Sequence, residues 1–327
     1  MENKILKIGL LTSGGDAPGM NAAIRAVVRA CTFYKKNVLG IMRGYEGMIE
    51  GDIIKLDARS VGNIIQRGGT ILKSARSKEF RTPEGRQEAF KHIKKHGIDG
   101  LIAIGGDGTF IGLHKFFEEF GIPSICIPGT IDNDLAGTDY TIGFDTATNT
   151  AVEAIDRIRD TALSHNRLFF IEVMGRNSGY IAINSGIAGG AAAVIIPEEN
   201  MSFDQLYAML GEGGKTNRKS NLIVVAEGSK IGGAHALAKQ VAERSDYFDI
   251  KVTVLGHMQR GGSPTYFDRV LASQLGVGAV EGLISGENDC MVGIRNKRIV
   301  YNKFGDVMYK HHDIDAEALR IAKMLSI

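Results

Sequence analysis

Leu101-Ile102-Ala103-Ile104-Gly105-Gly106-Asp107-Gly108-Thr109 sets a short apolar run against a cluster of glycines. The same pattern recurs at Ile8 to Thr12 before Gly14-Gly15, and at Ile125 to Pro128 before Gly129. A short apolar run that ends in glycine and passes into a helical pattern is the βα turn of an open parallel sheet. Ligands of such sheets collect outside the carboxyl ends of the strands, so the three turns are expected to face one cleft. The fold class is therefore α/β: two Rossmann-like lobes of mostly parallel sheet sandwiched by helices, with the active site expected in the cleft between them.

The chain has 327 residues, 44% of them apolar and 23% charged, enough for two lobes each with its own core. Its 42 glycines are about twice the usual ~7% share, while prolines number 6 and tryptophan is absent. With 39 Lys+Arg against 37 Asp+Glu, the balance of +2 gives no reason to expect nucleic acid or an anionic membrane as partner. No apolar run approaches the ~20 residues of a membrane span. The longest is Ala191 to Ile196. The N-terminal segment carries no signal-peptide core, which makes a cytoplasmic enzyme the expectation. Cys31, Cys126 and Cys290 stand at unrelated spacings and read as packing rather than as a disulfide framework or zinc cluster.

Periodicity predicts helices over 19–36, over 83–96 with Thr82 as its cap, over 146–163 and from Ser178. Strands are predicted from Asn37, over Leu168 to Met174, Ala193 to Pro197, Asn221 to Ala226 and Val252 to Leu255. The chain is expected to cross between lobes near Tyr140 to Phe144 and to return after Val252 to Leu255. The lobes are assigned as 1–140 plus 257–305 and 141–256 plus 306–327.

The first turn, Thr12 to Asn21, places two glycines and a hydroxyl pair where a helix begins, so its N–H groups can approach an anion. A tight turn with an N-cap accounts for the same residues. Gly214-Lys215-Thr216 imitates the end of a phosphate-binding loop, but Met209 occupies the place of the glycine that loop requires, so the segment reads as a surface loop. In the second turn Asp107 sits among glycines, where it can hold Mg²⁺ beside transferring phosphates or simply cap the helix that follows. In the third turn, Pro128 to Asp134, an extended course puts Asp132 and Asp134 on one side with the Thr130 hydroxyl. Coupled carboxylates can keep one basic enough to take a proton from an alcohol. An Asx-rich surface loop is the alternative.

Four arginines stand beside glycine turns or the third-turn acids: Arg76, Arg167, Arg176 and Arg260. A guanidinium at a glycine turn pairs two phosphate oxygens while the backbone stays clear, whereas an isolated surface arginine more often makes an ion pair. His257 and Glu227 can bind sugar hydroxyls, or serve structure alone. Together these residues point to a Mg²⁺-dependent phosphoryl transferase acting on a phosphorylated hydroxyl compound.

The stretches LLTSGGDAPGMNAAIR, GGTILKSAR, GGDGTF, PGTIDND, EVMGRNSG and LGHMQRGGSP resemble, in order, the signatures of the bacterial ATP-dependent 6-phosphofructokinase family. The resemblance covers Ile8 to about Arg269. It implies transfer of the ATP γ-phosphoryl to the 1-hydroxyl of fructose 6-phosphate, with Asp132 as general base and with Arg176 and Thr130 at the transferring group. It implies an ATP site at Gly15, Tyr45, Arg76, Ser77, Gly106, Asp107, Gly108 and Thr109, with Asp107 the Mg²⁺ ligand. Fructose 6-phosphate is expected at Thr130, Ile131, Asp132, Met174, Gly175, Arg176, Glu227, His257, Met258, Gln259 and Arg260. Arg167 and Lys251 fall where a neighbouring subunit of a homotetramer reaches the 6-phosphate.

Family members that use pyrophosphate typically carry Asp at the place of Gly108 and Lys at that of Gly129. An Asp there would repel the α-phosphate and a Lys would fill space beside the transferred group, so glycine at both favours ATP. Lys251 replaces a usual Arg and Lys73 a usual Gly. Arg25, Arg29, Arg159 and Arg218 match the effector site at which ADP activates and phosphoenolpyruvate inhibits relatives. Ala58 and Ala192 replace its usual Arg and metal-binding Glu, so an anion site with a reduced or altered nucleotide response is expected. Kinases of nicotinamide nucleotides or lipids share Gly-Gly-Asp-Gly-Thr but lack the Thr-Ile-Asp-Asn-Asp turn with a Met-Gly-Arg segment. A pyrophosphate-dependent phosphofructokinase and a non-catalytic sugar-phosphate sensor remain the alternatives.

Overall fold

A computed structural model describes residues 5–163, 167–211 and 222–325. The chain divides into two compact units, Met1–Ile131 with Leu135–Thr146 and Arg260–His312, and Asp132–Asp134 with Ala147–Gln259 and Asp313–Ile327. Relative to the expected boundaries, 141–146 and 306–312 go with the first unit, and 132–134 and 257–259 with the second.

Among the described residues the first unit holds seven strands: β1 (Lys7–Thr12), β2 (Asn37–Ile41), β3 (Ile53–Leu56), β4 (Gly100–Gly105), β5 (Ser124–Pro128), β10 (Cys290–Arg295) and β11 (Arg298–Lys303). Their order is β11-β10-β5-β4-β1-β2-β3, parallel except for the antiparallel edges β3 and β11. Helices α1 (Met20–Phe33), α2 (Tyr45–Glu50), α3 (Pro83–Lys95), α4 (Asp107–Phe120), α9 (Tyr266–Ser285) and α10 (Phe304–Val307) accompany it. Strands β1, β4 and β5 are almost wholly buried and lie side by side, so their glycine turns line one edge of the sheet. The turns are also bonded to each other: Ser13 N donates to Ile104 O at 3.0 Å and Gly129 N to Gly105 O at 2.9 Å.

In the second unit four parallel strands, β6 (Arg167–Val173), β7 (Ala193–Ile195), β8 (Leu222–Ala226) and β9 (Asp249–Val254), run in the order β7-β8-β6-β9 among the described residues. Helices α5 (Phe144–Leu163), α6 (Tyr180–Ala188), α7 (Phe203–Met209), α8 (Ala234–Arg244) and α11 (Ala316–Leu325) complete the chain. The core of this sheet is apolar, with Leu168, Phe170, Ile195, Ile223, Val225 and Leu237 buried together.

The expected elements recur with ends shifted by a few residues. The first helix stops at Phe33 rather than Lys36, and α3 carries its Thr82 cap, whose hydroxyl accepts Gly85 N at 3.1 Å. Helix α5 starts two residues early because a carboxylate from α9 receives its first turn. Asp268 accepts Gly143 N at 2.8 Å, Thr146 N at 2.9 Å and Thr146 Oγ1 at 2.5 Å. The cap is reciprocal: Thr265, at the start of α9, donates to Asp145 at 2.5 Å and its N–H to Thr146 Oγ1 at 3.0 Å. Gly214-Lys215-Thr216, Asn221 and Arg218 lie outside the described residues.

All three cysteines are buried and free, and burial pushes the Cys31 and Cys290 thiols up to about 12, which fits the packing role. No helix among the described residues is long and apolar enough to cross a membrane.

Candidate active site

The first turn is built against its own unit. Thr12 Oγ1 bonds Thr70 Oγ1 at 2.9 Å and Lys73 O at 2.8 Å, and Ser74 Oγ donates to Gly14 O at 2.8 Å. Buried Asn21 holds the same loop by donating to Arg67 O and Gly68 O at 3.1 Å and accepting Ile71 N at 2.8 Å. Arg260 lies over Gly15 and donates to Asp16 O at 3.1 Å; a Cβ at Gly15 would stand 2.6 Å from that guanidinium. A side chain at Gly15 would therefore displace the tip of Arg260. Arg260, expected at the sugar phosphate, thus lies against the first turn.

The second turn opens α4 with Gly106 as N-cap and Asp107 in the first helical turn, where the dipole favours a carboxylate. Thr109 is buried and ties the turn to the first through its hydroxyl on Ser13 O at 3.1 Å. Tyr45 supports it from within the core: its hydroxyl donates to Thr109 O and its ring stacks on Phe80 at 4.0 Å. Burial pushes its phenol well above the usual range. Tyr45 therefore reaches the second turn from the core, at 6% exposure, while Arg76 is exposed and Ser77 is half-buried, accepting Phe80 N at 3.1 Å.

A Cβ at Gly108 would meet nothing within 4 Å, so that position opens onto space a ligand can use. Gly129 differs. Its Cβ would point at Ile104 Cγ2 (3.0 Å) and Met20 Cε (3.2 Å), so a side chain there starts into apolar packing rather than beside a transferred group. Of the two positions, Gly108 is the one whose surroundings carry the argument about the phosphoryl donor.

In the third turn Thr141 Oγ1 donates to Thr130 O at 2.6 Å, Thr130 is half-buried and Ile131 fully buried. The extended course assumed for Asp132 to Asp134 is not what forms. Asn133 has a left-handed backbone (φ 50), which breaks the alternation that would have put the two carboxylates on one side. Asp132 is buried at 4% exposure and Asp134 is half-buried.

Around Asp132 the second unit is ordered by the turn after β6. Arg176 Nε lies 4.0 Å from Asp132 Oδ2, with the arginine side chain 65% exposed. Arg176 has φ 53 and Gly175 φ 141. Glu227, at the end of β8, accepts Arg176 N at 2.8 Å and Gly175 N at 3.3 Å through one oxygen. Ser178 is a residue the sequence reading missed: buried at 4%, it donates its hydroxyl to Asp132 O at 2.9 Å and its N–H to Gly175 O at 2.8 Å. Only its Ser-Gly context hinted at it. Glu198 caps the next helix by accepting Gly179 N at 2.8 Å.

Gln259 is fully buried and bonds backbone, donating to Gly256 O at 3.1 Å and accepting Met174 N at 3.4 Å, while His257 and Met258 are exposed. Arg167 and Lys251 both engage Asp249, at 2.9 and 2.7 Å, and hold its carboxyl below the usual range. They sit at the N-terminal ends of β6 and β9, whereas Met174 to Arg176 and Glu227 sit at the C-terminal ends of β6 and β8. Arg167 opens the seven-residue β6, seven positions before Met174, and Lys251 lies level with Phe169, five positions before Met174, so at ~3.3 Å per residue the two groups are about 15–25 Å apart along the strand. Arg25 and Arg29 stand one turn apart on α1, half-buried and exposed, and Arg159 on α5 donates to Gly190 O at 3.3 Å. Ala58 is exposed and Ala192 half-buried.

The family model described as Phosphofructokinase matches residues 7–283. The chain is 54% identical over 320 residues to an ATP-dependent 6-phosphofructokinase of Cytophaga hutchinsonii, covering 98% of each, and 53% identical to ATP-dependent 6-phosphofructokinase 1 of Thermus thermophilus, covering 98% of this chain and 99% of that one. Among solved structures it resembles the Pichia pastoris phosphofructokinase in the T-state, at TM-score 0.87 and 34% identity over 98% of this chain, which spans 36% of that one. A pyrophosphate-dependent phosphofructokinase from Nitrosospira multiformis shares the fold at TM-score 0.85 and 23% identity, over 95% of this chain and 86% of that one. With three glycine turns on one sheet edge and an acid facing an arginine after β6, alongside a family match across most of its length, the chain belongs to the phosphofructokinase family.

Proposed function

We propose that this chain transfers the γ-phosphoryl group of ATP to the 1-hydroxyl of fructose 6-phosphate, giving fructose 1,6-bisphosphate and ADP, the committed step of glycolysis. The observation that carries the reading is the buried Asp132 carboxylate with the Arg176 guanidinium 4.0 Å away. Asp132 takes the proton of the 1-hydroxyl as its oxygen bonds to the γ-phosphorus, and the bond to the bridging oxygen of ADP breaks. Arg176 and Thr130 meet the charge spread over the transferring oxygens, where a preorganised cation acts without reorganisation. Most of the Arg176 side chain is exposed, so it is available to an arriving phosphoryl group.

The first unit supplies the ATP side through Gly15, Tyr45, Arg76, Ser77 and the Gly106 to Thr109 turn. Met174, Gly175, Arg176 and Glu227, with His257, Met258 and Gln259, are the sugar-phosphate residues proposed in the second unit, and Ile131 and Arg260 those proposed in the first. Ile131, Gln259 and Tyr45 act through backbone or packing, given their burial. Asp107 would hold Mg²⁺: it offers a hard oxygen at the start of α4 beside the open space at Gly108, and this ion needs only one or two protein carboxylates when phosphate and water complete its shell. Bound there, the ion would neutralise phosphate charge.

Arg167 and Lys251 are proposed to serve the 6-phosphate of a neighbouring subunit in a homotetramer. Their distance along β6 from Arg176 and Glu227 supports a role in another copy's site. Arg25, Arg29, Arg159 and Arg218 are proposed to form an anion-binding effector site with altered response to ADP and phosphoenolpyruvate, in a cytoplasmic enzyme.

Coupled-assay rates with fructose 6-phosphate and Mg²⁺, comparing ATP with pyrophosphate for the native chain and Asp132→Ala, test the reading. Turnover with ATP that the substitution largely removes is the expected result. Faster turnover with pyrophosphate would overturn the donor assignment, and no turnover with either would favour a sugar-phosphate sensor.

A further inference from the structure

The backbone of Arg176 is held from both sides by two consecutive residues at the end of β8. On one side the Glu227 carboxylate accepts its N–H at 2.8 Å. On the other, its carbonyl oxygen lies so close to Gly228 that a Cβ built there would fall far inside van der Waals contact distance of that oxygen, with Asn177 Cα a further 3.6 Å contact. Arg176 itself has φ 53, a conformation that a residue with a side chain rarely adopts and that needs its surroundings to hold it.

We propose that Gly228 is a positioning residue for Arg176: by leaving room for the Arg176 carbonyl, it lets Glu227 lock the peptide in the left-handed conformation that aims the guanidinium at Asp132. The inference rests on the reading of Arg176 as the group that meets the transferring phosphoryl. Gly228 has an ordinary backbone that any residue adopts, since its φ is outside the left-handed region. Replacing it with alanine therefore perturbs the carbonyl contact and adds no strain at position 228 itself. To relieve the overlap the Arg176 peptide must rotate or retreat, and either movement lengthens the Glu227 bond and swings the side chain. Ser178, two residues on, keeps the rest of the turn on the Asp132 backbone at 2.9 Å, so the displacement is confined to the arginine.

The test is a double-mutant cycle of Gly228→Ala and Arg176→Ala in the full chain, with kcat, KM for each substrate, and thermal melting. Misplacing a catalytic group by about 1 Å costs about 100-fold. Gly228→Ala is expected to lower kcat by that order, with KM for ATP within about twofold and a lowered melting temperature, since the group it displaces is backbone. In the Arg176→Ala background the same change is expected to cost less than about twofold in kcat, because the residue it acts through is gone. Equal losses in both backgrounds, or an unchanged kcat in Gly228→Ala, would overturn the proposal while leaving the Arg176 assignment intact. Native kcat in Arg176→Ala would overturn that assignment itself. Should Gly228→Ala not yield folded protein, Glu227→Asp withdraws the acceptor from the Arg176 N–H without added bulk. Because Glu227 is also placed at the sugar, its loss is read as kcat at saturating fructose 6-phosphate; that loss is expected to vanish in the Arg176→Ala background, and one that persists there would sink the clamp.

Discussion

Asp268 is the sharpest test of how this fold is held. It is fully buried in α9, accepts three hydrogen bonds from the first turn of α5, and has Asp145 as a like-charged neighbour. Burial, with a smaller contribution from Asp145, raises its carboxyl from 3.8 to about 6, while the bonds from Thr146 and Gly143 work the other way. At ~1.4 kcal/mol per pK unit, the charged form carries a penalty of about 3 kcal/mol relative to the unfolded chain. The sign follows from the raised value. The folded state binds the proton more tightly than the unfolded chain does, so the penalty is absent below about pH 4, grows between about 4 and 6, and is constant above about 7.

The Asp268→Asn variant keeps an acceptor for one donor, turns a donor toward another, and cannot be charged. Urea unfolding followed by circular dichroism, which suits a chain without tryptophan, gives the stability of both proteins at fixed protein concentration. The difference between them is expected to move by about 3 kcal/mol in favour of the variant between pH 4 and pH 7. The fixed loss of a bond, about 1–3 kcal/mol, shifts the whole curve without changing its shape. Parallel curves for the two proteins would refute the reasoning.

Three further outcomes follow from the site. Gly108→Asp is expected to leave the melting temperature within about 1 °C, because nothing lies within 4 Å of the new Cβ, and to lower kcat/KM for ATP at least tenfold by like-charge repulsion; native-like use of ATP would remove the argument for the donor. Asp249→Ala releases Arg167 and Lys251 from their shared carboxylate. Exposed pairs contribute about 0–1 kcal/mol, so stability should hardly change, while KM for fructose 6-phosphate in initial-rate measurements is expected to fall; an unchanged KM would separate the two cations from the substrate. Titration with ADP and phosphoenolpyruvate is expected to leave the fructose 6-phosphate saturation curve little changed, since Ala58 and Ala192 bring neither charge nor ligand to the proposed effector site. Strong sigmoidality relieved by ADP would refute that expectation.

What could be read from the chain before its fold was known followed the range of the forces involved. The glycine turns after β1, β4 and β5 were legible because a buried strand, a turn without side chains and a helix start are all written in consecutive residues. Helix α9 was not, because three internal glycines read as breakers. One of them, Gly276, is where α1 comes closest: a Cβ there would stand 2.7 Å from Ala26 and 3.0 Å from the Ala23 carbonyl. Small residues on both helices thus serve a close packing that neither stretch reveals by itself. The candidate site divides in the same way. Asp132 and Arg176 carry their chemistry in their side chains and could be named from their neighbours in sequence. The extended course assumed for Asp132 to Asp134 failed because the left-handed Asn133 decides otherwise. Gly228 and Ser178 act by the room or the bond they give to a backbone some 50 residues away in sequence, and no local pattern distinguishes such a glycine from one that merely ends a strand. The residues proposed to do the chemistry were therefore easier to find than those proposed to aim it, since a functional group is a property of one residue and its aim belongs to the pair of strands that carry it.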